Sequence, residues 1–102
     1  MQLSLEFQSK LKNPNVTFTT KELEDGMRLL MIDFIEQRVE LHQLLEVSER
    51  LRRDYHPSLS KKFFVVVDTF HNLHKERNNS PKKHLTKEEI IYLVDNLLCE
   101  VT

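Results

Sequence analysis

One stretch, residues 20–54, constrains the fold of this chain more than any other. Its apolar residues recur at alternating steps of four and three, interrupted only at Gln37 and Ser48. The apolar positions are Leu23, Met27, Leu30, Phe34, Leu41, Leu44, Leu51 and Tyr55. This spacing corresponds to about 3.5 residues per turn, which is typical of the apolar seam of a helix that packs along another helix. We therefore predict one long helix over residues 20–54.

Local signals support this helix but also mark its weakest point. Thr19 and Glu22 have the spacing of a capping box, in which each residue's side chain satisfies the other's backbone N–H at the start of a helix. Gly26 costs a helix interior about 1 kcal/mol relative to Ala, so the sequence leaves open whether the helix breaks there. Within residues 29–35 only Asp33 is polar. We expect this part of the helix to be packed from several sides.

Two more helices are predicted after Pro57, whose ring disfavours helical geometry at the preceding residue. A second seam with four-and-three spacing predicts a helix over residues 58–77. Its apolar positions are Leu59, Phe63, Val66, Phe70 and Leu73. The run Phe-Phe-Val-Val-Val at residues 63–67 is also β-prone, so a buried strand is the alternative there. A second capping box at Thr86 begins a C-terminal helix over residues 86–101.

Residues 1–19 carry signals for both a strand and a helix. Apolar side chains occupy the odd positions Met1, Leu3, Leu5, Phe7 and Leu11. This alternation favours a half-buried strand, although Leu3, Phe7 and Leu11 alone would also suit one face of a helix. The sequence Asn-Pro-Asn at residues 13–15 indicates a turn, and a short β-prone piece follows it. We interpret residues 1–19 as a β-hairpin arm, which must lie on the helices or pair with another chain because an isolated hairpin is marginal in water.

These elements give a mainly α fold: a small helical bundle built on a long helix hairpin plus a C-terminal helix, with the N-terminal β-hairpin. A chain of 102 residues has the length of one domain and can bury a core without disulfides. The lone Cys99 cannot form an internal bridge. No signal-peptide pattern is evident, and the apolar runs are far shorter than the roughly 20 residues that span a bilayer. We expect one cytoplasmic domain that has no membrane partner.

Candidate residues for catalysis and metal binding are few. Asp68, His71 and His74 lie three residues apart on the second predicted helix, which can place three metal-capable side chains along one helical edge. No second cluster of His or Cys completes a tetrahedral site, so we expect no bound metal. Cys99 falls in the last turn of a helix beside Glu100, where the helix dipole and the carboxylate oppose formation of a thiolate. A single Gly argues against a phosphate-cradling loop, and we expect no enzyme activity, no cofactor and no small-molecule substrate.

Charge is distributed unevenly along the chain, whose formal net charge is −1. Residues 50–87 hold ten basic and three acidic side chains, a balance of +7, so the remaining residues carry −8. Such segregated charge affects how a protein meets its partners. The candidate residues for binding an anionic partner, including nucleic-acid phosphates, are Arg50, Arg52, Arg53, Lys61, Lys62, Lys82 and Lys83. The alternative is a solvated surface that pairs with the protein's own acidic helices or with an acidic partner.

The length of the predicted helix leads to the functional hypothesis. A helix of about 35 residues would be roughly 50 Å long, whereas a compact globule of this chain length has a radius of gyration of about 13 Å. The helix would overhang that globule and leave apolar surface in water. We therefore predict a homodimer with a coiled-coil-like interface formed by Leu30, Met31, Phe34, Ile35, Leu41, Leu44 and Leu45. The predicted function is a non-enzymatic protein-interaction module, an adaptor or regulatory subunit. The alternative is a small nucleic-acid-binding regulator that uses the basic residues 50–87.

Overall fold

The computed structural model describes residues 1–79 and 85–102 of the chain. Over these residues the protein is mainly helical and contains no β-strand, which confirms the predicted mainly α class. The α-helices are α1 (Leu5–Leu11), α2 (Thr20–Ile35), α3 (Leu41–Asp54), α4 (Lys61–Asn79) and α5 (Lys87–Val101). A 3₁₀ turn at His56–Ser58 separates α3 from α4.

The prediction of one continuous helix over residues 20–54 is wrong, because α2 ends at Ile35 and α3 begins only at Leu41. Gly26 does not break the helix, since it lies buried inside α2. At 16 residues α2 is about 24 Å long, which fits within the overall dimensions of 40 × 28 × 24 Å. The overhang that motivated the self-association prediction is therefore absent from α2 and α3.

The break between α2 and α3 is a Schellman motif. Gln37 adopts a left-handed backbone conformation with a φ of 62°. The Gln37 N–H donates to the Phe34 carbonyl (3.0 Å), and the Arg38 N–H donates to the Asp33 carbonyl (2.7 Å). These are the two hydrogen bonds of a Schellman motif, in which Gly usually occupies the left-handed position. Because Gln stands there instead, the sequence carries no ordinary stop signal at this point.

Residues 1–19 do not form the predicted β-hairpin; they contain α1, followed by a non-helical connection to α2. Phe7 and Leu11 lie four residues apart on α1 and are each only 7% exposed, as the alternative of a helix face required, whereas Leu3 precedes α1 and is 49% exposed. The contact that favours a helix over a strand here is made by a residue far along the chain. The buried Asp33 carboxylate accepts hydrogen bonds from the Leu3 and Ser4 N–H groups (2.9 and 2.8 Å) beside the start of α1, where a helix needs acceptors for unpaired donors.

The two later helices lie close to their predicted positions. α4 and α5 correspond to the helices predicted at residues 58–77 and 86–101, with shifts of at most three residues at their ends. The alternative of a buried strand at residues 63–67 is wrong, because this run lies inside α4. Phe63 is buried there and Val65 is exposed, as helical spacing requires.

Both predicted capping boxes are present. At the start of α2, the Thr19 hydroxyl accepts from the Glu22 N–H (3.1 Å), and the Glu22 carboxylate accepts from the Thr19 N–H (3.0 Å). At the start of α5, Thr86 and Glu89 make the same pair of bonds (3.2 and 2.9 Å). Each box satisfies two backbone donors that the helix itself leaves unpaired. The two helix starts are thus fixed by local sequence.

Buried apolar side chains from each of α1 to α5 form one cluster. Within it α3 packs mainly against α4, and α2 against α5. The largest fully buried apolar side chains are Phe63, Phe70, Leu23, Met27, Leu30, Met31, Leu44, Leu51, Val66, Val67 and Val94. None of the described helices is long and apolar enough to cross a membrane.

Candidate functional site

A cavity of about 570 Å³ lies where the turn between α2 and α3 meets the end of α4 and the start of α5. Its apolar lining comes from Phe34, Val39, Leu41, Leu85 and Ile90. Its polar lining comes from Gln37, Glu40, Arg77 and Lys87. Over the described residues the cavity therefore combines an apolar surface with two cations and one carboxylate, which is the composition of a binding site that anchors apolar groups and orients a charged one.

A second cavity of about 370 Å³ adjoins the first between α3 and the end of α4. The two share Glu40, Leu41 and Arg77 as lining residues. The remaining lining of the second cavity is His42, Leu45, Glu46, His74 and Asn78. Because they share three lining residues, the two cavities lie side by side at the last turn of α4 and together make one candidate site. We call it the Arg77 groove.

A third cavity, of about 400 Å³, lies between α1 and α3 and has a different character. Its apolar lining is limited to Leu11 and Val47, and the other lining residues are Gln8, Lys12, Gln43, Glu46, Glu49, Arg50 and Arg53. It has fewer apolar side chains that could anchor a partner than the Arg77 groove has. The Arg77 groove is therefore the stronger candidate.

Gln37 gives the Arg77 groove a strained wall. A residue other than Gly in the left-handed region costs about 1–2 kcal/mol, and Gln37 is the one such residue among those described. The strain persists because the Schellman hydrogen bonds to Phe34 and Asp33 hold the turn in place. Strained backbone of this kind is concentrated at functional sites, where the surroundings over-determine it.

Asp33 holds that turn from the inside of the protein. Its carboxylate is fully buried and accepts four hydrogen bonds, from the Leu3 N–H (2.9 Å), the Ser4 N–H (2.8 Å), the Ser4 hydroxyl (2.6 Å) and Arg38 Nε (2.9 Å). Burial alone would raise the pKa of Asp33, but these hydrogen bonds outweigh it and lower the pKa below its ordinary value. The group is therefore a carboxylate that joins the N-terminal segment to the turn between α2 and α3.

The residues predicted to mediate self-association mostly serve the protein's own core. Leu30, Met31 and Leu44 are fully buried. Phe34 and Leu45 are 5% and 4% exposed, and Ile35 and Leu41 are half-buried against the same core. Three of the seven, Phe34, Leu41 and Leu45, also line the Arg77 groove. The apolar stretch of α2 that was expected to meet packing from several sides does so within one chain.

The basic residues predicted to bind an anionic partner do not form one described patch. The three arginines are engaged within the chain: Arg50 donates to the Leu11 carbonyl, Arg52 pairs with Asp68 (3.1 Å) and Arg53 with Asp54 (3.0 Å). Lys61 and Lys62 are exposed in the first turn of α4. Lys82 and Lys83 lie outside the described residues. The described members of this predicted set are thus three arginines engaged within the chain and one exposed pair of lysines.

The edge formed by Asp68, His71 and His74 is also used within the chain. Asp68 pairs with Arg52, and His71 Nδ1 contacts the Glu49 carboxylate across the α3–α4 contact. His74 Nε2 lies 3.3 Å from the Asn78 amide nitrogen, and His74 lines the Arg77 groove. The described residues contain no group of three or more His, Cys, Asp or Glu that could hold a metal ion. Cys99 is exposed on α5.

The comparisons with known proteins add no relative. Comparisons with protein-family models, curated proteins and solved structures found no significant match. The functional interpretation therefore rests on the geometry of the Arg77 groove.

Proposed function

We propose that this protein is a non-enzymatic helical protein-interaction module, an adaptor or regulatory subunit. It binds a short segment of a partner protein in the Arg77 groove. The observation that supports this proposal is the pair of adjoining cavities, which share three lining residues and have both apolar and charged side chains in their linings. Two adjoining cavities suit a peptide segment, whose successive side chains need anchoring points at intervals along the chain.

The apolar lining provides the anchoring points. Phe34 and Ile90 belong to the core and are only 5% and 3% exposed, so they form a firm floor. Leu41 is half-buried and Leu85 is 38% exposed, so both retain surface that a partner can cover. Apolar side chains inserted in such places supply most of the binding free energy in protein interfaces.

The positive charges at one end of the groove favour an acidic partner. Arg77, in the last turn of α4, and Lys87, in the first turn of α5, both line the larger cavity. Among the described lining residues of that cavity the single carboxylate is that of Glu40, which lies 3.3 Å from His42 Nδ1. An arginine binds a carboxylate through two parallel hydrogen bonds when the geometry permits. The partner segment is therefore one with two or more apolar side chains and an Asp, a Glu or a C-terminal carboxylate.

Peptide selection tests this proposal. A random peptide library is selected on the wild-type protein, and the affinities of the enriched peptides are measured by calorimetry. We expect enriched peptides to combine acidic and apolar residues and to bind Arg77→Glu and Leu85→Glu at least about tenfold more weakly, since a charge-assisted hydrogen bond or an apolar anchor is lost.

Lys61→Glu is the matched control, because Lys61 is an exposed cation at the opposite end of the same helix. We expect it to leave peptide affinity unchanged. Failure to enrich any peptide, or equal binding to Arg77→Glu and wild type, would contradict the proposal.

Self-association stays a prediction, and it needs a surface other than the buried Leu30, Met31 and Leu44. A second copy of the chain is one protein that could supply a segment for the groove. Sedimentation equilibrium measures this directly. A monomer mass at micromolar concentration would contradict self-association without affecting binding to a different protein.

A further inference from the structure

Helix α1 is attached to the rest of the protein at three points. At its start, the Leu3 and Ser4 N–H groups donate to the Asp33 carboxylate. At its middle, the Phe7 ring lies against Gly26 so closely that a Cβ atom at position 26 would come within 2.3 Å of ring atoms. At its end, Arg50 donates to the Leu11 carbonyl.

Together with the burial of Leu11 and the edge-to-face contact between the Phe7 and Phe18 rings, these tertiary contacts keep α1 helical. It has only seven residues, and helices shorter than about 12 residues are unstable in water without tertiary contacts. Each of the three points is a contact with residues distant in sequence rather than a contact within α1. A segment held in this way by tertiary contacts would lose its helical structure if it detached.

Asp33 connects this segment to the wall of the Arg77 groove. Its Oδ1 accepts from the Leu3 N–H and from Arg38 Nε at the same distance of 2.9 Å. Its backbone carbonyl accepts from the Arg38 N–H (2.7 Å) and the Val39 N–H (3.4 Å). The neighbours of Arg38 on both sides, Gln37 and Val39, line the groove. One residue thus holds the start of α1 and the groove wall together.

We propose that docking of α1 and the conformation of the Arg77 groove are coupled through Asp33, so that the N-terminal segment regulates partner binding. With α1 docked, Asp33 is fixed by Leu3 and Ser4, and it holds the strained turn at Gln37 in the form that lines the groove. With α1 undocked, Asp33 loses three of its four carboxylate hydrogen bonds and becomes hydrated. Gln37 then relaxes from its left-handed conformation and the groove wall loosens.

The inference rests on the proposed function for its biological consequence, because it treats the groove as the binding site. Coupling of this kind is reciprocal. Undocking of α1 lowers the affinity for the partner segment, and the bound segment in turn strengthens docking of α1. A modification, a protease or another protein that removes the N-terminal segment would therefore release the partner.

Hydrogen exchange of single amides tests the coupling without any partner. Phe7→Ala and Ser4→Ala each weaken α1 docking at a point that does not touch the groove. We expect the Arg38 and Val39 amides to exchange about tenfold faster in both variants than in wild type, because the hydrogen bonds that fix Asp33 are weakened. Ser4→Ala removes only one hydroxyl and keeps the experiment informative if Phe7→Ala does not fold.

Val67→Ala is the control variant, because it shortens a fully buried side chain on α4 and lowers stability without touching α1. Val67→Ala should leave the exchange rates of the Arg38 and Val39 amides, taken relative to those of the other amides of the same variant, at the wild-type value. Faster exchange in α1 with unchanged exchange at Arg38 and Val39 would overturn the coupling. That outcome is distinct from failure of the proposed function, which is measured by peptide binding alone.

Discussion

The exchange of Gly26 for Ala gives a sharp test of how α1 is docked. Inside an ordinary helix this exchange stabilises by about 1 kcal/mol, because Ala loses less backbone entropy on folding. At Gly26 the added Cβ would lie 2.3 Å from Phe7 ring atoms, and no real contact is that short. The Phe7 ring must therefore leave its site, which forfeits burial worth about 1.5–3 kcal/mol for a Phe side chain. We expect Gly26→Ala to lower the free energy of unfolding by about 0.5–2 kcal/mol.

The effect of Gly26→Ala on the free energy of unfolding should change sign once the Phe7 ring is absent. In a Phe7→Ala background nothing opposes the new methyl group, so Gly26→Ala should raise the free energy of unfolding by about 1 kcal/mol. Urea unfolding followed by far-ultraviolet circular dichroism measures all four proteins of this double-mutant cycle. In a Val66→Ala background, where a buried side chain of α4 is shortened, the exchange should remain destabilising. The same sign in the wild-type and Phe7→Ala backgrounds would refute this account of α1.

Three further predictions concern Asp33, Gln37 and the exposed lysines. Asp33→Asn should lower the free energy of unfolding by about 1.5–3 kcal/mol, since hydrogen bonds to a charged group are lost. Because folding lowers the pKa of Asp33, the stabilisation by its carboxylate should be complete above about pH 4 and be lost as the pH falls through the lower folded-state pKa. The stability of Asp33→Asn should lack this part of the pH dependence when it is measured by acid unfolding. Gln37→Gly should stabilise by about 0.5–1 kcal/mol in urea unfolding, since Gly removes the left-handed strain but costs entropy, and a loss of stability would contradict the strain argument. If the nucleic-acid alternative holds, Lys61→Glu with Lys62→Glu should abolish binding to duplex DNA at low salt; no binding by the wild type under those conditions would exclude that alternative.

The sequence signals that succeeded were local ones. The capping boxes at Thr19 and Thr86 and the helical spacing after Pro57 each depend on residues within a few positions of one another. Physical effects at that range are visible in the sequence because they do not depend on the rest of the fold. They were enough to predict a mainly α protein and the starts of two helices.

The predictions that failed depended on distant contacts. Alternation and helix spacing were both present at the N-terminus, and Asp33, 29 residues after Ser4, decided between them. Gly26 was recognised as a weak point of the helix, but its close contact with the Phe7 ring was not visible. The end of α2 was missed because Gln37 occupies a position where Gly is the usual signal.

The candidate site could not be predicted for the same reason. Gln37 and Leu41 come from one stretch of the chain and Arg77 and Leu85 from another, and no sequence spacing relates the two stretches. The only signals in the sequence were the polar Gln37 within the apolar seam and the lone polar Asp33 in an apolar stretch. The first looked like a mere interruption of the apolar seam, because an unbroken helix would have placed Gln37 in that seam.

Chemical-shift mapping of a selected peptide tests the central claim most directly, since it locates the bound segment on the protein. Amide shifts of the isotope-labelled protein are recorded during titration with the tightest peptide from the selection. We predict that the largest changes lie at Gln37, Leu41, Arg77 and Leu85 and are lost in Arg77→Glu. Changes centred instead on the cavity between α1 and α3, or on Lys61 at the far end of α4, would contradict the assignment of the Arg77 groove as the binding site.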